Sequence, residues 1–218
     1  MARKKFSKTD VLDLDLDDIV GCLCTNVKED IKDFDDVVNL DGAVSREIYI
    51  GDIAPGTGGT VEGYIRFWNR WDEVNNIPIK ERDPIKIFID SNGGCLSDTL
   101  TMIDAIDLSK TPIWTINAGA AYSGGFFTFI AGHKRITYPH SSFLYHEGAT
   151  GTSADASKFR NFADFYQKQL KQLEEITLKY TKITPEQYKE HIKDDWWLTA
   201  EEALELGVCD EIAEEFIL

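Results

Sequence analysis

Apolar residues gather in short dense runs separated by longer stretches of helical spacing, and that alternation predicts the elements. Arg46 to Ile53 reads as the first core strand, punctuated by Pro55-Gly-Thr-Gly-Gly59. Val61, Tyr64, Ile65, Trp68 and Trp71 then supply an i, i+3, i+4, i+7 face for a helix over 60–75. Ile85-Lys-Ile-Phe-Ile89 is apolar enough to predict a strand buried on both faces. A helix over 98–108, a strand over 113–117, a helix over 124–132 and two short strands near 135–138 and 142–145 follow. Strands alternating with helices predict an α/β chain with parallel crossovers.

The longest helical pattern runs over 157–180, where Phe159, Phe162, Tyr166, Leu170 and Leu173 step by three or four residues. At 1.5 Å per residue it makes a rod on the order of 35 Å long. Its stripe fits packing along its own core or on another subunit. Thr184-Pro185 opens a short helix to Ile192, and Thr199-Ala-Glu-Glu202 is a capping box for a last one, stopped by Gly207. Asp194-Asp195-Trp196-Trp197 is left at the junction between them.

Residues 1–41 break the pattern. Between Asp10 and Asp36 ten carboxylates face only Lys28 and Lys32, which predicts a solvated acidic arm with, at most, a short docking helix around Ile31 to Val38. The domain reading is therefore an arm over 1–41 and one folded domain over 42–218. A length of 218 residues allows one sizeable core, and apolar and charged fractions of 43% and 28% exclude wholesale disorder. The net charge of −15 argues against nucleic acid or an anionic membrane as the main partner. The basic N-terminus lacks the apolar run of a secretory signal, and no apolar run spans a bilayer, so a soluble cytoplasmic protein is expected. Cys22, Cys24, Cys95 and Cys209 read as free thiols in a reducing compartment, because no second pair or nearby histidine completes a metal site around Cys22 and Cys24.

Three segments carry candidate chemistry. Asp90-Ser-Asn-Gly-Gly94 closes one strand, and Ala120-Ala-Tyr-Ser-Gly-Gly125 places Ser123 on a turn before an apolar helix. Phe143-Leu-Tyr-His146 ends a strand on a histidine. Serine becomes a nucleophile only when a base takes its proton and a third group orients that base. Of four histidines, His146 alone ends an apolar strand. Asp194 or Asp195 can supply the carboxylate, with the flanking tryptophans expected to shield it from water. Backbone N–H donors for a developing oxyanion are expected at Gly94 and Gly124, where no side chain blocks approach.

In order and spacing these segments, with Trp197-Leu-Thr-Ala-Glu-Glu-Ala-Leu-Glu-Leu-Gly-Val-Cys-Asp210, resemble the proteolytic subunit of the Clp protease, the ClpP family. The likeness runs from Arg46 to Ile212. It implies an α/β fold of the ClpP/crotonase-like kind, a superhelix of ββα units with a protruding handle helix at about 148–182. It further implies a Ser-His-Asp triad of Ser123, His146 and Asp195, the aspartate two residues before the Trp-Leu-Thr-Ala run, with Gly94 and Gly124 as oxyanion donors. The implied activity is a self-compartmentalised serine endopeptidase that cleaves unfolded proteins or peptides, without metal or cofactor. The implied assembly is a homo-oligomer, a heptameric ring or a double ring stacked through the handle. In the family the N-terminal segment lines the axial pore and meets an ATPase unfoldase; residues 1–41 do not look like that segment. Ser91-Asn-Gly-Gly94, Ala121-Tyr-Ser-Gly124 and His146-Glu-Gly148 also depart from the family's Ser-Pro-Gly-Gly, Ala-Ala-Ser-Met and His-Gln-Pro. Those departures fit a divergent, phage-encoded protease that processes capsid or scaffold proteins. A catalytically inactive ring subunit or scaffold is the non-enzyme alternative, against which the presence of all three triad residues counts. Signal peptide peptidase A shares a Ser-Gly-Gly stretch but uses a lysine base and a membrane anchor, and an acyl-CoA enzyme of the crotonase type needs no triad.

Overall fold

The computed structural model describes residues 45–192 and 194–217. Within them run β1 (Glu47–Ile50), α1 (Thr57–Val74), β2 (Ile85–Ser91), α2 (Leu96–Leu108), β3 (Ile113–Tyr122), α3 (Gly124–Ile130) and β4 (Lys134–Thr137). After them come β5 (Ser142–Tyr145), α4 (Ala156–Tyr180), α5 (Pro185–His191), β6 (Trp196–Leu198), α6 (Ala200–Glu205) and β7 (Glu211–Ile212). The acidic arm lies outside the described residues.

The sheet has the order β1-β2-β3-β4-β7, with β5 beside the far end of β3 and β6 beside β5. Every pairing is parallel except β5 with β6. β2 sits between β1 and β3, and Ile85, Ile87 and Ile89 are fully buried. Each such side chain contributes about 1.5–3 kcal/mol relative to exposure. The main core lies between the sheet and the helices: Val61 and Ile65 of α1, Met102 and Ile106 of α2, and Phe126 and Phe129 of α3. On the opposite face Phe88, Ile116, Ile136 and Ala213 form a small second cluster.

Two elements differ from the sequence expectation in a way that matters. β1 stops at Ile50, leaving Ile53 as a single parallel bridge to Gly94. β3 continues past residue 117 to Tyr122, pairing β4 through its first half and β5 through its last three residues. Small residues at Ala118-Gly-Ala-Ala121 give little strand propensity, but Gly119 leaves room for Asp90, whose carboxylate accepts the Ala120 N–H at 2.9 Å. A Cβ on Gly119 would lie 2.5 Å from Asp90 Oδ1.

A buried ion pair bolts α1 to the start of β1. Asp72, wholly inaccessible, accepts from Arg46 at 2.6 and 3.0 Å and from the Thr111 hydroxyl at 2.7 Å. Asp72→Ala leaves Arg46 and Arg82 without their shared anion, which is expected to lower stability by about 3–5 kcal/mol. A urea melt measures it. At the base of α4, Arg135 donates to Asp210 and to the carbonyls of Tyr180 and Gly207. Burial pushes the Asp210 carboxyl up, but Arg135 outweighs it and holds the group below its ordinary value.

Candidate active site

β3 ends at Tyr122, and the chain turns sharply into α3 through Ser123, which has φ 52° and ψ −119°. A non-glycine residue there is strained by about 1–3 kcal/mol and persists only where its surroundings over-determine it. They do so from two sides. The Ser123 N–H donates to the Leu144 carbonyl of β5 at 2.9 Å. Gly93, at φ +96°, lies so close that a Cβ on it would meet Ser123 Cβ at 2.7 Å. The strand-turn-helix arrangement, with serine at its apex, is the geometry that lifts a nucleophile clear of a sheet.

Two backbone donors lie beside the serine. The bridge at Ile53 uses the Ile53 N–H, donated to Gly93, and the Cys95 N–H, donated to Ile53, both at 2.8 Å. The Gly94 N–H is therefore not consumed by the ladder. Gly124 is the first residue of α3, where N–H groups have no intrahelical partner. A Cβ on Gly124 would sit 3.5 Å from Gly94 N, so the two glycines face the same space.

His146 follows the last residue of β5, and the antiparallel register explains its neighbour. Tyr145 stands opposite Trp196, so the next step of the ladder brings Asp195 to His146. His146 Nδ1 and Asp195 Oδ1 are 3.5 Å apart, longer than an ordinary N–H···O bond. Neither the Ser123 hydroxyl nor His146 makes a hydrogen bond among the described residues. The tryptophans do not shield the carboxylate as expected: the Asp195 side chain is 60% exposed, and Trp197 is itself 54% exposed. β6 is an edge strand with alternating faces, so Trp197 points outward and packs edge-on against Tyr122. Trp196 stacks on His191 at 4.1 Å. His133 has a structural partner, its Nδ1 accepting the Ile113 N–H at 3.0 Å.

Ser123, His146, Gly94 and Gly124 line one cleft of about 580 Å³. Asp195 stands behind His146, outside it. α4 closes the far side with Phe162 and Tyr166, which the sequence placed on the handle stripe and gave no part in the site. Their cleft role depends on the loop 146–155 folding back, shown by the Tyr166 hydroxyl donating to the Glu147 carbonyl at 3.0 Å. Periodicity carries no trace of that contact. Beneath it the Tyr145 hydroxyl donates to Tyr188 at 2.5 Å. Burial pushes the Tyr188 phenol up to about 12, and Tyr145 higher still, so the pair is neutral at any working pH. Among the described residues no three metal-ligating side chains cluster, and no helix is long and apolar enough to cross a membrane. Cys22 and Cys24 lie outside those residues.

The chain matches the family model described as Clp protease over residues 78–216. It is 29% identical over 130 residues to the ATP-dependent Clp protease proteolytic subunit 2 of Rhodococcus jostii, covering 59% of this chain and 67% of that protein. The Pseudomonas aeruginosa subunit 2 is 30% identical over 132 residues, covering 60% of this chain and 66% of the relative, and that of Nocardia farcinica has 64% of its length matched. The chain thus spans about two thirds of these relatives. Among solved structures, a ClpP1 mutant from Listeria monocytogenes superposes with a TM-score of 0.69 at 22% identity, covering 82% of this chain and 96% of that one.

Proposed function

The chain belongs to the Clp protease family, and on that premise we propose that it is a serine endopeptidase that cleaves unfolded proteins or peptides. The observation that carries the reading is one cleft holding the strained Ser123, His146 and the backbone of Gly94 and Gly124, with Asp195 at 3.5 Å from His146. In it, Ser123 Oγ attacks the peptide carbonyl while His146 takes its proton and later passes it to the leaving amine. Asp195 holds the imidazole tautomer and stabilises the imidazolium. The N–H groups of Gly94 and Gly124 bind the oxyanion. Water then repeats the sequence on the acyl-enzyme. In this reading the chain itself uses no cofactor, and ATP, which the relatives' names attach to those proteins, would act here only through a partner.

The same reading makes the protein a cytoplasmic ring-forming homo-oligomer, with an acidic arm over 1–41 ahead of the protease domain over 42–218. α4 supports it: in a 25-residue helix only Leu173 and Thr177 are buried, while Phe159 and Phe165 are half or more exposed. In this reading the stacking of two heptameric rings through α4 would cover Phe159 and Phe165, and a single ring would leave them exposed.

The open spacing of the triad favours one alternative, a ring subunit that assembles without turnover. Catalytic hydrogen bonds often tighten only with substrate bound, so the two readings separate by reactivity. Intact-mass labelling with a fluorophosphonate is expected to give one adduct on the wild type and none on Ser123→Ala or His146→Ala. No adduct on assembled wild type would select the inactive subunit. Because Asp195 is exposed and loosely placed, Asp195→Ala is expected to lower kcat by about two orders of magnitude less than His146→Ala does. Steady-state peptidase rates compare the two.

A further inference from the structure

Two features of the cleft are not used by the chemistry above. Among the residues lining it, Glu147 is the one that bears a fixed charge, and no lysine or arginine faces it. Glu147 is exposed and makes no ion pair among the described residues. Phe162 and Tyr166, which also line the cleft, lie half-buried, their rings stacked at 6.4 Å and 12°. The two features adjoin. The Tyr166 hydroxyl holds the Glu147 backbone, and Tyr166 is raised above its ordinary value first by burial and then by the Glu147 charge. Glu174, one helix turn beyond Leu170, adds negative charge behind them, acting with Glu147 on Tyr145 and Tyr188.

A carboxylate beside a pair of flat apolar faces has a chemical complement: a cation on a long aliphatic stem. A leucine or phenylalanine would fill the aromatic wall but leave Glu147 unpaired, and an acidic side chain would meet it with like charge. A lysine or arginine lays its methylenes on Phe162 and Tyr166 and brings its head to the carboxylate. Resting on the proposed peptidase reading, we propose that the cleft beside Ser123 takes a lysine or arginine side chain of the substrate next to the cleaved bond, with Glu147 and the Phe162–Tyr166 pair as its specificity determinants.

The test uses the full-length protein and fluorogenic peptides that differ only at the residue flanking the cleaved bond: arginine, its neutral isostere citrulline, leucine or glutamate. Wild type is expected to cleave the arginine peptide with kcat/KM about fivefold above the citrulline peptide, as one exposed ion pair provides. That ratio should shrink towards one in 1 M salt, where screening acts within about 3 Å. Glu147→Gln should bring it to one at any salt, and Glu147→Lys should favour glutamate. Equal cleavage of arginine and citrulline by a wild type that fluorophosphonate labels would overturn this inference and leave the peptidase reading standing. An arginine preference that survives Glu147→Gln overturns the assignment to Glu147. Absence of both labelling and cleavage overturns the two readings together.

Discussion

Ser123→Ala is expected to lower peptidase turnover by about five to six orders of magnitude while leaving the fold intact. The size follows from the role: without Oγ there is no acyl-enzyme, and the residual rate comes only from what the oxyanion donors and binding do for a water. The intact fold follows from the surroundings. The turn is held by the Ser123 backbone, through its bond to Leu144, and by the close approach of Gly93. The hydroxyl itself makes no hydrogen bond among the described residues, and Cβ is retained in alanine. A stability change within about 0.5 kcal/mol is therefore expected. Single-turnover kinetics and a thermal melt on the same preparation check both halves. A modest loss of rate, or a large loss of stability, would remove Ser123 from the nucleophile's place.

The second large effect is expected at Gly94, where geometry and chemistry fail together. Gly94 has φ +144°, and a Cβ there would lie 2.1 Å from the Ile53 carbonyl oxygen, a backbone atom that cannot swing away. Gly94→Ala must therefore open the Ile53 bridge and turn the Gly94 N–H away from Gly124. Loss of one oxyanion donor is worth about 10²–10³ in kcat. The strained backbone adds about 1–3 kcal/mol of destabilisation. Gly63→Ala is the contrast. Its Cβ meets nothing within 4 Å inside α1, so it should stabilise by up to about 1 kcal/mol and leave kcat alone. Parallel losses of kcat in both variants would mean that the Gly94 effect is not specific to the site.

The long elements were legible because each buries a face whose period repeats several times. α1, β2, α2, α3 and α4 fall within a few residues of their expected bounds, the capping box expected at Thr199 forms, and the N-cap expected at Thr184 proves to be a capping box as well. β6 and β7 were not legible. They are three and two residues long, too short for any period, and exist only because β5 and β4 lie beside them. That omission bears on the site, since β6 is what carries Asp195 to His146. Residue chemistry treated Asp194 and Asp195 alike, and it wrongly dried the carboxylate with its tryptophan neighbours. On an edge strand a neighbour in sequence points to the other face. Glu147 and Tyr166 meet through a loop closure that leaves no pattern in the chain.

The way the serine turn is held also governs when it appears during synthesis. Five of the six strand pairings are parallel, and each waits for an intervening crossover before it can form. Ser123 leaves the ribosome ahead of Leu144, the acceptor of its amide, and well ahead of β6. Until β5 has docked beside β3, the Ser123 turn lacks one of its two holds, the Leu144 carbonyl, and only the close approach of Gly93 constrains it. A chain in which β5 has yet to dock thus carries Ser123 on a turn held from one side only, and the turn is fully fixed once Leu144 has joined the sheet.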